Sequence, residues 1–436
     1  MLRYITFPFR FLALHLWASL TAALLLGIVV VAGVNGWAWY HYRAADAALR
    51  VDDMDAAQHH IGHCLRVWRF GAATQFLAAR IERVSGHYPQ ADEHLRECVH
   101  LQHGASDQSQ LEEVLLRAQS GDFKEVEAGL WACVDKDHLE SARILETLAR
   151  IYMRDSRMQA AQHCLTKWLE LEPEAVRAWH WRGWVRERLQ QPEKAVADYE
   201  KAVELEPGRW GVHLRLARLL LERHNLDAAQ PHLDELMRSH PDDTDVQIAQ
   251  AQGYMLEGKN EEASQLLDQL LQQHPKDFEA LYYRGQLDFL PNPPRYAEAE
   301  EFLRRALAER PKDYRALHLF YECLEKQGKA QQAAEAREKH RQVEMDSTRL
   351  RELWNREIER APHNPEVLSE VGELMLKLGD DSGVQWLKRA LHEDQTHQRS
   401  LEVLIRYYES KGDTKEADMY RQHLPRTSAA ASSSGN

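Results

Sequence analysis

The sequence predicts an all-α solenoid of about nine or ten helix–turn–helix units behind one apolar N-terminal helix. Two periodicities and one composition break carry this reading. Prolines recur at Pro173, Pro207, Pro241 and Pro275, each 34 residues after the last. A small residue keeps the same step at Ala161, Ala195, Ala229 and Ala263. From Phe11 to Tyr42 there is no Asp, Glu, Lys or Arg.

Each observation has a physical cause. Proline cannot continue a helix, so a periodic proline marks a periodic stop. The next one, Pro311, comes 36 residues on, and the two extra residues fall in the loop Leu290-Pro291-Asn292-Pro293-Pro294. The alanines continue at Ala299 and Ala333, where a small side chain lets two helices approach to about 8–10 Å. Four residues after each alanine stands a large one: Leu165, Tyr199, Leu233, Leu267 and Leu303. The preceding helix contributes Ala149, Gly183, Ala217, Ala251 and Gly285 at its own fixed offset.

The stretch Trp179-x-x-Arg182-Gly183-x-x-Arg186, followed by Ala195-x-x-x-Tyr199, Ala202 and Pro207, resembles the tetratricopeptide-repeat family. The resemblance implies stacked two-helix units, a concave groove lined by the first helix of each, and protein partners in that groove. Arg182 and Arg186 stand where the family usually has Leu and Tyr. The resemblance covers roughly residues 38–424.

The chain divides as follows. Residues 1–42 hold a cytoplasmic N-terminus and the transmembrane helix. Residues 43–141 hold divergent units, in which Ala57, Ile61 and Cys64 repeat as Ala91, Leu95 and Cys98, with a looser copy through Gly129 and Ala132. Residues 142–330 hold the clear units. Residues 331–361 interrupt the period with a long charged helix and a second helix carrying Leu350, Leu353, Trp354 and Ile358. Residues 362–424 resume it through Leu368, Gly372, Met375, Leu387 and Ala390, then Leu401, Tyr408 and Ala417. Residues 425–436 are Ser/Ala-rich and read as a disordered tail.

Phe11 to Val34 supplies 24 mostly apolar residues, enough to cross a hydrocarbon layer of about 30 Å. Trp37, Trp39, Tyr40 and Tyr42 follow, as rings do at a membrane boundary. A cleaved signal peptide is the competing reading, with Gly36-Trp37-Ala38 as its cleavage site, but its apolar region should be shorter. Arg3 and Arg10 precede the span and Arg43 and Arg50 follow it, a near tie. The short basic terminus favours retention inside, which places the repeats on the extracytoplasmic side of a single-pass membrane protein.

The net charge of −13 argues against a nucleic-acid partner. No His-Glu-x-x-His, glycine-rich phosphate loop, Gly-x-Ser-x-Gly or Cys-x-x-Cys occurs, so no enzyme and no cofactor is expected. Of five cysteines, Cys64, Cys98 and Cys133 fall at equivalent places in successive units, too far apart for disulfides, and read as packing residues. In His59-His60-Ile61-Gly62-His63-Cys64 the pairs His59/His63 and His60/Cys64 are each one helical turn apart. They point about 100° from one another without a third ligand, so no metal site is assigned.

The first-helix face through His180 and Trp184 continues through Arg150, Arg218 and Tyr282, with Arg143 and Arg177 one turn earlier. These seven residues are the candidate partner-binding set: a basic, aromatic groove suited to acidic extended or helical segments of other proteins. The family's clamp for chaperone C-terminal carboxylates needs Lys and Asn on this face, where His180 and Trp184 stand instead. The leading expectation is a membrane-anchored interaction scaffold. The alternative is a regulatory or assembly subunit of a membrane enzyme or of an envelope polysaccharide or lipopolysaccharide machine.

Overall fold

The computed structural model describes residues 6–424, apart from residues 52, 137 and 291–292. The tail 425–436, Arg3 and part of the proline-rich loop lie outside the described residues. Among those described, every regular element is helical and there is no strand.

The helices alternate as leading and trailing members of two-helix units. The first unit is α1 (Thr6–Arg50) with α2 (Met54–Val67), followed by α3 (Ala72–Val84) with α4 (Tyr88–Leu101) and α5 (Asp107–Ser120) with α6 (Phe123–Asp135). Then come α7 (Ser141–Arg154) and α8 (Met158–Leu171), α9 (Val176–Arg188) and α10 (Pro192–Leu205), and α11 (Trp210–Glu222) and α12 (Leu226–Ser239). Next are α13 (Thr244–Glu257) and α14 (Asn260–Gln273), α15 (Phe278–Phe289) and α16 (Tyr296–Glu309), and α17 (Tyr314–Lys326) and α18 (Ala330–Glu352). A π-turn, Leu353–Glu357, joins α18 to the short α19 (Ile358–Arg360). The last units are α20 (Pro365–Lys377) with α21 (Gly383–Glu393), and α22 (Gln398–Ser410) with α23 (Thr414–Gln422). The α-solenoid expectation therefore holds.

The periodic residues sit where the period placed them. Pro173, Pro207, Pro241, Pro275 and Pro311 all fall in the turns between units. Ala161, Ala195, Ala229, Ala263 and Ala299 are fully buried, as are Leu165, Tyr199, Leu233, Leu267 and Leu303 four residues later. Three leading helices are also capped by an aspartate that the motif does not include. Asp243, Asp277 and Asp313 accept from Val246 N at 3.0 Å, Ala280 N at 2.8 Å and Ala316 N at 3.0 Å, occupying donors that a helix start otherwise leaves open.

Two readings need correction. The segment 331–361 is not two helices: α18 continues through the π-turn into α19, because the apolar residues Leu350, Leu353 and Ile358 stay on one buried face. Its first half also pairs with α17, so the trailing helix of a unit has been prolonged. Cys133 is only half-buried whereas Cys64 and Cys98 are fully buried; in α6 the buried face runs through Leu130 and Val134. All five thiols are free.

The chain forms two compact units that divide between Thr147 and Leu148, inside α7. In the first, Ala45, Ala48 and Leu49 of α1 pack against Ala57, Ile61 and Cys64 of α2 and Leu77, Ala78 and Ile81 of α3. The helix carrying the apolar segment is thus also the leading helix of the first repeat. Leu24–Arg50 is a helix long and apolar enough to cross a membrane, and Leu24, Leu25, Leu26 and Val29 are exposed on it. In the second unit, successive apolar layers run from Ala195 and Tyr199 through Leu233 and Leu267 to Leu374 and Trp386.

Candidate functional site

The leading helices carry the candidate residues, and most of their cations already have partners. Arg143, in the first unit, donates to Glu140 at 2.9 Å and to the fully buried Glu112. Burial acts to raise the Glu112 carboxyl, but Arg83 and Arg143 outweigh it and hold the group below the usual carboxylate range. Arg83 binds the other Glu112 oxygen at 2.5 Å and Gln119 at 3.0 Å. Breaking such a fully enclosed network by removing one partner is costly, so Arg143 acts first as a structural residue.

In the second unit, Arg150 and Arg177 both lie over the ring of Trp181, at 4.9 and 5.7 Å. Trp181 was absent from the sequence-derived set; the Trp-rich run Trp179, Trp181, Trp184 was the signal for it. His180 sits against Tyr199 at 6.0 Å. Arg218 pairs with Asp245 at 2.7 Å on the surface. Tyr282 stacks on Phe278 at 6.3 Å and under Arg315 at 4.8 Å, and burial raises its hydroxyl pKa. These residues therefore form separate small clusters along successive helices.

Trp184 is different: it faces a cavity of about 940 Å³. One wall comes from the repeats, with Met153, Met158, Trp184 and Leu219; the other comes from the prolonged helix and its neighbour, with Leu350, Trp354, Met375 and Leu378. Arg188, Arg215, Arg223 and Arg351 line it together with Glu187, Glu222 and Asp380. Arg188 lies over the Trp184 ring at 5.1 Å, and Arg223 pairs with Glu193 at 2.7 Å. Glu187 accepts from the Tyr199 hydroxyl, and burial raises its carboxyl pKa.

The far wall is held by contacts that no 34-residue period encodes. The backbone N–H of Gln159 donates to Glu359 Oε1 at 2.6 Å, and its side-chain amide donates to the Asn355 carbonyl at 3.2 Å. Asn355 lies within the π-turn, where the widened ladder leaves carbonyls able to accept from outside. The same turn brings Trp354 to the cavity, and its buried indole Nε1 has no hydrogen-bond acceptor among the described residues. Two indoles, three methionines and a mixed-charge rim suit a peptide segment better than a simple ion.

The histidine run gains a neighbour from α1 that its own spacing does not show. Cys64 is buried and donates to the Ala38 carbonyl at 2.9 Å, so it does not pair with His60. His60 faces His41 of α1 instead. Among the described residues no group of three or more His, Cys, Asp or Glu side chains is arranged to hold a metal ion.

Tetratricopeptide-repeat family models match residues 146–209, 188–253 and 248–314. No curated protein matches the chain. Among solved structures, a tetratricopeptide repeat protein from Parabacteroides merdae is 19% identical, covering 53% of this chain and 91% of its own, with a TM-score of 0.48. YrrB, a TPR protein with an unusual peptide-binding site, is 22% identical over 42% of this chain and 93% of its own, TM-score 0.35. Pseudomonas aeruginosa pilF is 16% identical over 58% of this chain and 99% of its own, TM-score 0.36.

Proposed function

Because tetratricopeptide-repeat family models match residues 146–314, we propose that this chain is a non-catalytic, membrane-anchored scaffold that takes segments of partner proteins. The repeats themselves imply protein–protein interaction. The observation that carries the finer reading is the cavity between Trp184 and Trp354. Its volume is that of a ligand pocket, its indoles offer large rigid surfaces at low entropic cost, and its methionines adapt to varied side chains. The apolar helix beginning before Leu24 serves as the anchor, its exposed aliphatic residues facing lipid and the repeats lying on the extracytoplasmic side.

A photoreactive residue at position 354, in native membranes, tests this reading against the same residue at the surface position 419. The expected result is crosslinking to defined partner peptides from 354 only, abolished by Trp184→Ala. Equal crosslinks from both positions, or none from 354, would rule the cavity out as the docking site. A single stoichiometric membrane enzyme among the products would favour a regulatory subunit over a general scaffold.

A further inference from the structure

Four imidazoles gather at the first hairpin, where one member comes from outside the sequence run. α1 and α2 approach closely because Ala38, Ala45, Ala57 and Cys64 are small and fully buried between them. That approach brings His41 Nδ1 to 2.8 Å from His60 Nδ1, while His59 Nε2 and His63 Nε2 stand 3.2 Å apart. The two pairs touch: the His41 and His63 rings are 4.6 Å apart, and those of His59 and His60 are 5.6 Å apart. Trp37, one turn before His41, stands edge-on to His41 at 4.4 Å and to His63 at 5.3 Å.

A nitrogen–nitrogen contact of this length needs one N–H and one lone pair. Each contact therefore survives with both rings neutral or with one of them protonated, and fails when both are protonated. A second proton on either pair sets two N–H groups against each other, and a charge on each pair sets two cations side by side. His63 adds a strain of its own: its Nδ1 is buried with no hydrogen-bond partner. Burial first, then His59, His41, Arg66 and His60, hold the His63 imidazole below its usual pKa. From α1 the other titratable neighbour is Tyr40, with its ring 5.3 Å from His41 and 6.4 Å from His60. From α2 come Arg66 and, one turn before His59, the exposed Asp55. From α3, Arg80 acts on Tyr42. None of the charged groups acting on His63 is a carboxylate that would compensate added protons.

We propose that His41, His59, His60 and His63 form an acid-released clasp, which holds α2 against α1 while the imidazoles are neutral and lets the helices part when they are protonated. The sign follows from linkage at His63, which is harder to protonate when closed: its neutral form favours the closed state above the free histidine value, and that preference is lost as pH falls below about 6.5.

Cys64 reports the state of the clasp, since its thiol is sealed against Ala38 in the same contact. Cys98, equally buried one repeat on, is the internal reference. The full-length chain in detergent is treated with 4,4′-dithiodipyridine, which reacts in acid, and each cysteine is scored by peptide mass spectrometry. The Cys64/Cys98 rate ratio should be flat above pH 7 and rise about tenfold or more by pH 5. In the double variant His41→Gln/His63→Gln it should stay flat throughout. His59→Gln/His60→Gln, on the more open side, serves the same purpose if the first variant fails to fold by circular dichroism. A wild-type ratio unchanged down to pH 5, an equal rise at Cys98, or a rise that persists in a folded double variant would overturn the proposal.

Discussion

Neighbouring hairpins α9–α10 and α11–α12 share one backbone plan and solve its interior by opposite chemistry. In α11 the positions facing the trailing helix hold Leu216 and Leu220, both buried. The same positions in α9, one period earlier, hold Arg182 and Arg186. Between them lies the buried Asp198, bound by Arg182 at 2.8 and 3.1 Å and by Arg186 at 2.7 Å. Its counterpart in α12 is His232, which faces His213 at 3.1 Å. The packing partners trade size as well. Gly183 lies under the Tyr199 ring, where an added Cβ would come within 2.7 Å of the ring, whereas Ala217 keeps its methyl at the corresponding place in a helix paired with the one bearing Leu233. The comparison teaches that the repeat constrains how these places are filled and leaves the chemistry open.

Three measurements would break or sharpen that comparison, each by urea or thermal unfolding followed by circular dichroism. Asp198→Ala should have the largest effect, a loss of about 3–5 kcal/mol, because it strands two guanidiniums in the interior. A loss under about 1 kcal/mol would mean that water already reaches the triad. Gly183→Ala should cost about 1–3 kcal/mol by crowding Tyr199. Adding Tyr199→Leu, which copies the α11–α12 pair, should recover part of that loss; strictly additive costs would show that the two sites do not exchange volume. The combined Arg182→Leu, Arg186→Leu and Asp198→Leu change should leave stability unchanged or raise it by up to about 4 kcal/mol, since an apolar trio avoids the desolvation of three charges. A clear loss would assign the ion triad a net stabilising role in this hairpin.

What could be read from the sequence follows the same division. Close-packed contacts admit few residue types, so Ala195, Ala229 and Ala263 declared their places by spacing alone. Each unit buries its apolar face on its neighbour, and that requirement repeats with the period. Contacts outside the period left no such trace. His41 joins the histidine run from another helix, 18 residues before His59. Gln159 meets Glu359 across 200 residues of chain, and Trp354 reaches the cavity through a π-turn that hydrophobic spacing does not reveal. The sequence placed all seven candidate residues on leading helices, where the structure has them. It could not show that Arg143 and Arg218 are engaged by Glu112 and Asp245, because those carboxylates lie 31 and 27 residues away.

The unbroken run of α1 from Thr6 to Arg50 has a mechanical consequence. Its apolar stretch and the face that grips α2 belong to one stiff shaft, so residue count between them sets their relative azimuth. Removing one residue at Gly36 would index one against the other by about 100°, while inserting seven would restore the phase to within about 20° and lengthen the shaft by about 10 Å. Register, more than linker flexibility, would then decide which side of the first hairpin faces the membrane proposed to hold the shaft.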